Sequence, residues 1–107
     1  MIYLASPYSH ADPEVMEDRF RRVCAVASRL MLQGLHIFSP IAHCHPIAVT
    51  GGLPKGWEFW GSYDKDIISK CDRFLVLRLP GWEESKGVQA EIKIWEEMGG
   101  TVEHVDE

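Results

Sequence analysis

The chain has few cysteines, no excess of basic residues and no long apolar run, and each absence removes a class of function. Cys24, Cys44 and Cys71 are an odd set with no C-x-x-C pair, which argues against a disulfide framework and fits a reducing compartment. Eleven Lys and Arg stand against sixteen Asp and Glu, a formal charge of -5. No general basic surface is available to neutralise a nucleic-acid backbone, so long DNA or RNA is not an expected partner. A local helix N-terminus can still bind a small anion. Nowhere do eighteen apolar residues run together, so no membrane span is expected. No basic, apolar leader precedes the strand-like run at Ile2, and a cytoplasmic location is expected on that ground. There is no internal repeat and no low-complexity segment. With 107 residues, 46% of them hydrophobic, the chain is expected to form one domain around one packed core.

The apolar pattern alternates between short strands and helices. Ile2 to Ala5 reads as a buried strand that ends at Ser6-Pro7-Tyr8-Ser9, where proline and serines favour a turn. Asp12-Pro13-Glu14 supplies a capping residue, a proline for the first helical position and an acid for the first turn. Met16, Phe20, Val23, Cys24, Ala27, Leu30 and Met31 then recur at three- and four-residue steps up to Gly34, which is an amphipathic helix. Leu35 to Phe38 is a second strand, closed by Ser39-Pro40. The stretch from about Ile41 to Gly56, rich in His, Pro and Gly, reads as a long loop of the kind that carries function. A second helix is expected over Trp57 to Cys71, a third strand over Arg73 to Leu79, a third helix over Ser85 to Met98 and a last strand from Thr101. This order implies a small doubly wound (flavodoxin- or Rossmann-like) α/β fold, with a parallel sheet of four to five strands between helices. Ligands in such sheets bind beyond the carboxyl ends of the strands, which singles out residues 6–12, 39–56 and 80–85.

Two carboxylates break the apolar faces of the helices. At about 100° per residue, Trp60, Ile67, Ile68 and Cys71 share one face and Asp64 falls among them, while Glu58 and Asp66 turn to solvent. On the next helix Glu91 lies between Val88 and Trp95 within the apolar stripe of Val88, Ile92, Trp95 and Met98. Inward carboxylates are costly unless paired or hydrogen-bonded, and two beside one crevice offer a general acid and a nucleophile. A lone acid on such a stripe is more often a partner for a cap or an arginine; two on consecutive helices favour a site. Ser85-Lys86-Gly87-Val88 is a helix start in which Ser85 caps and Gly87 lets a ligand approach the backbone.

The strand Ile2-Tyr3-Leu4-Ala5, the spacing Asp64-x7-Asp72 before an apolar strand, and Ser85-x-Gly87-Val88-x-x-Glu91-Ile92 resemble the nucleoside 2-deoxyribosyltransferase superfamily across nearly the whole chain. They are also similar to the 2'-deoxynucleoside 5'-monophosphate N-hydrolases. The resemblance implies that Glu91 is a nucleophile attacking C1' of a sugar, that Asp64 protonates the departing base, and that the Tyr3 hydroxyl holds the glutamate. Where the transferases have an aspartate for the sugar hydroxyl, this chain has Ser85, as the monophosphate hydrolases do for the 5'-phosphate. The hydrolases also carry an arginine in the loop after the first strand, and Ser6-Pro7-Tyr8-Ser9-His10 has none.

These readings together predict an N-glycosidase acting on a nucleotide or nucleoside, with no cofactor. The rivals are deoxyribosyl transfer between bases and a non-catalytic nucleotide-binding module. Glu91, Asp64 and Tyr3 are the candidate catalytic residues; Ser85, Gly87, Ser6, Tyr8, His43 and Trp82 are the candidate substrate contacts. His43-Cys44-His45 invites a metal reading, with His10 and His36 as further ligands. Structural zinc shows paired ligands at both ends of a motif, and only one cluster is present. Trp57, Phe59, Trp60 and Tyr63 could stack a base, but aromatics at helical spacing are more often core or subunit contacts, and Cys24 and Cys71 are expected in the core. A dimer or tetramer is expected, because the helices are apolar for so short a chain and members of the resembled family complete their pockets with a neighbouring subunit.

Overall fold

The computed structural model describes residues 1–107 as four parallel strands and four helices: β1 (Ile2–Ala5), α1 (Pro13–Leu32), β2 (Ile37–Phe38), α2 (Pro40–Gly51), α3 (Trp57–Ile68), β3 (Arg73–Leu77), α4 (Lys86–Glu97) and β4 (Val102–Val105). The strand order is β2-β1-β3-β4, all parallel. The α/β fold expected from the alternating pattern is therefore the observed one. The chain leaves β1 toward one edge to form β2 and returns to form β3 on the other side of β1, so the crevice at a switch point opens between β1 and β3. No helix is long and apolar enough to cross a membrane.

The main departure from the sequence reading is α2. Residues Pro40–Gly51 form a helix within the stretch expected to be a loop. Ser39 caps it, its hydroxyl accepting from the Ala42 N–H at 3.0 Å, and Pro40 stands in its first turn. That is the same signature by which Asp12 and Pro13 open α1, where the Asp12 carboxylate accepts from the Glu14 N–H at 2.9 Å. Pro46 inside α2 and Gly52 beyond it, the latter at φ +64°, give the segment its loop-like composition without ending the helix early. Gly52 can close the helix there because only glycine holds a left-handed conformation without steric cost.

Side chains alternate across a strand, so the sheet sorts its residues into two cores. Ile2, Leu4, Leu75 and Leu77 point to the side covered by α1, where Val23, Val26, Ala27 and Leu30 complete an aliphatic cluster. Tyr3, Ala5, Phe74 and Val76 point to the other side, against Ile68 of α3 and Val88 and Trp95 of α4. Register then aligns aromatic rings. Tyr3 lies opposite Phe38 on β2 and Phe74 on β3; its ring stacks on Phe74 at 5.5 Å, and Phe74 stacks on Trp95 at 5.8 Å. The Trp95 indole N–H donates to the Thr101 carbonyl at 2.9 Å, which ties α4 to the start of β4. Met98, expected on the buried stripe of this helix, is exposed at its C-terminal end. Cys24 and Cys71 are half-buried rather than core.

The stack leaves no room beside Trp95. A Cβ at Gly100 would fall inside the indole ring, and a tryptophan wedged between Phe74 and the backbone cannot move aside freely. Gly100→Ala is expected to destabilise the protein by about 1–3 kcal/mol, the usual cost of overpacking, as read by urea denaturation. A variant as stable as the wild type would show that Trp95 is not fixed by this contact.

Candidate active site

A cavity of about 460 Å³ opens at the carboxyl ends of β1 and β3, a volume suited to a small-molecule ligand. Ser6, Tyr8 and Ser9 come from the β1–α1 loop, and Pro40, Ile41, Cys44, His45 and Ala48 from α2. Lys55 to Trp60 and Asp64 enter from α3 and the segment before it, and Glu84 to Gly87 and Glu91 from the start of α4. The three segments singled out by the strand order all reach the cavity, residues 39–56 only through side chains that were not among the expected contacts.

Asp64 and Glu91 are both where the helical wheels put them. Each lies on the buried face of its helix, with 8% and 4% of its surface exposed. Glu91 accepts a hydrogen bond from the hydroxyl of Tyr3, and Tyr3 is fully buried. Burial, reinforced by the neighbouring Asp64 carboxylate, pushes the Glu91 carboxyl well above the usual carboxylate range, while the Tyr3 hydrogen bond pulls it back. Burial likewise raises Asp64, to about 7. Tyr3 is raised by burial and then by the two acids, so it remains a neutral donor. Two carboxyls this close in a poorly hydrated site titrate as a pair that keeps one proton near neutral pH. The Tyr3 donor favours the charge on Glu91, while the hydrogen bond between the two carboxyls acts in the opposite sense, raising Glu91 and lowering Asp64.

The rim carries both signs of charge. Ser85 caps α4, its hydroxyl accepting from the Val88 N–H at 3.2 Å, so the free N–H groups of the first turn of α4 open on the cavity beside Gly87. Lys55 and Lys86 stand there as cations, and Glu58 and Glu84 as anions. Glu58, expected to turn away into solvent, is exposed yet lines the cavity mouth because α3 begins there. The Ser9 hydroxyl donates to the Lys55 carbonyl at 2.8 Å and joins the two loops. Arg19 of α1 reaches the same loop but spends its guanidinium on the Tyr8 and Ser9 carbonyls, at 3.3 and 3.2 Å.

Of the expected contacts, Ser6, Tyr8, Ser85 and Gly87 line the cavity, and His43 and Trp82 do not. Helix α2 turns His43 outward, next to the Tyr63 hydroxyl at 3.4 Å, and brings Cys44 and His45 inward instead. Trp82 packs edge-on against His104 of β4 at 5.7 Å and covers the core on the α4 side. Trp57 and Trp60, expected as core or subunit contacts, line the cavity, and the Trp60 N–H is tied to the Pro54 carbonyl at 2.7 Å. Phe59 and Tyr63 are exposed outside it. No group of three or more His, Cys, Asp or Glu side chains converges as metal ligands would. A signal for His45 was present: Ile41, Cys44, His45 and Ala48 recur at i, i+3, i+4 and i+7, the spacing of one helix face.

The whole chain, residues 1–107, matches DUF1937, a domain of unknown function, and belongs to that family. No curated protein matches it.

The raised Asp64 sets a direction for stability against pH. Below the unfolded carboxylate range both states hold the proton and the contribution is complete. As pH rises toward about 7 the unfolded chain ionises while folded Asp64 does not, so stability falls. Asp64→Asn is expected to flatten this decline and to stabilise the fold at pH 7.5 by about 1–3 kcal/mol. Urea denaturation of both proteins at pH 5 and 7.5 checks it, and equal pH slopes would overturn the assignment.

Proposed function

We propose that the protein is an N-glycosidase acting on a nucleotide or nucleoside, through a covalent intermediate on Glu91. The observation that carries this reading is the buried pair of carboxyls at a cavity floor, one of them held by a tyrosine hydroxyl. The resemblance of Tyr3, Asp64, Ser85 and Glu91 to the nucleoside 2-deoxyribosyltransferase superfamily and the monophosphate N-hydrolases supports it. Fold alone does not, because this architecture hosts many chemistries.

The reaction requires the charge on Glu91 and the proton on Asp64, an arrangement that the Tyr3 hydrogen bond to Glu91 supports. Cleavage of an N-glycosidic bond develops positive charge at C1', which an ionised Glu91 beneath the sugar stabilises and then traps as an ester. The electron pair of the C1'–N bond leaves with the base, and the proton on Asp64 goes to the base as it departs. Water then attacks C1', the Glu91 carboxylate leaves, and the proton of the water returns to Asp64. The Tyr3 hydroxyl bonds to the glutamate and serves as a positioning group, setting the orientation of the attacking oxygen. Trp57 and Trp60 offer apolar faces for a base.

A 5'-phosphate finds its complement at the start of α4. Free N–H groups at a helix N-terminus favour an anion, and Lys86 and Lys55 add charge at the same rim. These lysines take the place of the arginine that the loop after β1 lacks. The substrate favoured by this rim is a nucleoside 5'-monophosphate, and the location expected for such chemistry is the cytoplasm.

Chromatographic detection of free base tests the reading, with each deoxynucleoside, ribonucleoside and 5'-monophosphate as substrate. Release from one monophosphate is expected, with a loss of at least about 1,000-fold in Glu91→Ala. Appearance of a new nucleoside when a second base is added would assign transfer instead of hydrolysis. Tight binding without release, unchanged by Glu91→Ala, would point to a binding module and overturn the proposal. Lys86→Ala combined with Lys55→Ala is expected to raise KM for the monophosphate by roughly 10-fold or more and to leave the free nucleoside unaffected. Equal effects on both substrates would remove the phosphate from this end of the site.

A further inference from the structure

His45 is a buried histidine whose two ring nitrogens are both occupied, in a cluster separate from the Asp64–Glu91 pair. It lies on the inward face of α2 with 6% of its surface exposed, covered by the Phe20 ring at 4.4 Å. Its Nε2 stands 2.6 Å from a carboxylate oxygen of Glu17 on α1, and its Nδ1 stands 2.6 Å from the hydroxyl of Tyr8 in the β1–α1 loop. Three separate elements thus meet in a line, carboxylate to imidazole to phenol, and the phenol lies in the wall of the cavity.

The hydrogens in this line can be placed by what each group is able to donate. A carboxylate only accepts, so the hydrogen between Glu17 and His45 belongs to Nε2. The Tyr8 hydroxyl has no acceptor within the protein other than Nδ1, so its hydrogen is satisfied only if that nitrogen is bare. Burial, followed by the charge of Glu17, raises Tyr8 above the usual phenol range and keeps that hydrogen in place. The Oη lone pairs then remain, and no protein donor reaches them. In the same loop the Ser6 hydroxyl, 5% exposed, has no hydrogen-bond partner. Buried polar groups without partners are uncommon in native proteins, and this one shares a loop and a cavity wall with Tyr8, whose Oη keeps unused acceptor capacity; together they point at something the protein does not itself supply.

We infer that Tyr8 reads the ligand as a hydrogen-bond acceptor: Glu17 and His45 hold the phenol hydrogen away from the cavity, so Oη accepts an N–H or O–H from the occupant. This rests on the nucleotide reading of the cavity and adds to it a selection rule. The occupant carries a donor on the side facing the β1–α1 loop, either an exocyclic amino group of the base or a hydroxyl of the sugar. A site built to pair such a donor rejects the analogue that lacks it, since Oη would be left desolvated and unpaired. Tyr8 is in this account a specificity-determining residue, with His45 and Glu17 positioning it.

Two measurements test it. The first needs no ligand: nitrogen-15 spectra of the imidazole rings at pH 7.5 are expected to show one histidine with Nε2 protonated and Nδ1 bare, its Nδ1 signal moving in Tyr8→Phe. A protonated Nδ1 would turn the Tyr8 hydrogen toward the cavity and overturn the inference while leaving the proposed function standing. The second is calorimetric titration of the Glu91→Gln protein, which allows binding to be read without turnover. The ligands are the deoxynucleoside 5'-monophosphates of adenine and cytosine, their analogues without the exocyclic amino group, and their 3'-deoxy analogues. One kind of analogue is expected to bind about 10-fold more weakly, with the gap lost when Tyr8→Phe is added. Loss on removing the amino group places Tyr8 at the base, and loss on removing the hydroxyl places it at the sugar. A gap that persists in the double variant, or no gap at all, overturns the inference. No binding by any nucleotide overturns it together with the nucleotide reading.

Discussion

Glu91 is a carboxylate in the core of a domain that has little core to spare, and its one strong donor is the hydroxyl of a residue on the central strand. Most of the architecture on that side of the sheet serves this contact. Tyr3 must be held so that its hydroxyl meets α4, and the parallel register does this by flanking it with Phe38 and Phe74. Trp95, one turn beyond Glu91, closes the stack from the helix side, so the same ring that fixes α4 against the sheet also fixes the height of the glutamate above Tyr3. A buried hydrogen bond to a charged group contributes about 1.5–3 kcal/mol. That is less than the cost of burying a charged carboxylate, so the site depends on the stability of the packing around it.

The proximity of Asp64 sharpens the same constraint. Two acids that both resist ionisation cannot share a dry site as two anions, and the pair is driven to hold one charge and one proton. The tyrosine reaches Glu91 alone and pulls its carboxyl down, against the burial and the bond to Asp64 that raise it. In the proposed reaction that hydroxyl is the group that favours an ionised Glu91. Charge at the rim is less constrained, since two lysines and two glutamates stand at the mouth, where solvent screens them.

The fold and the acids were legible in the sequence because each rests on a periodic signal. Strands of apolar residues alternating with three- and four-residue helical repeats fix a parallel α/β layer arrangement, and Asp64 and Glu91 stand out as charges at positions where the repeat calls for apolar side chains. What was illegible depended on α2. Its histidines, prolines and glycines carry the composition of a loop, and the helix is evident only if Ser39-Pro40 is given the weight that Asp12-Pro13 receives at the start of α1. Taking it for a loop put His43 in the site in place of His45, since a loop has no face and a helix turns adjacent residues about 100° apart. Lys55, Lys86, Trp57 and Trp60 were hidden for a different reason. Charged and aromatic residues at helix starts have many ordinary uses, and only the meeting of α3, α4 and the β1–α1 loop in space separates these from the rest.

The division of the sheet into two faces has a consequence for how such a chain can change over evolutionary time. The face under α1 is aliphatic throughout, built from Ile2, Leu4, Leu75, Leu77 and the residues of α1 that cover them, and touches neither carboxylate. Cores of that kind tolerate exchange among Leu, Ile, Val and Met with modest loss, so this half can drift, or be repacked to gain stability, without disturbing the carboxyl pair. The face under α3 and α4 has no such freedom, because Tyr3, Phe74 and Trp95 are at once core and scaffold for the carboxyls. A single four-stranded sheet thus separates a face tolerant of substitution from one in which packing and the carboxyl site depend on the same side chains.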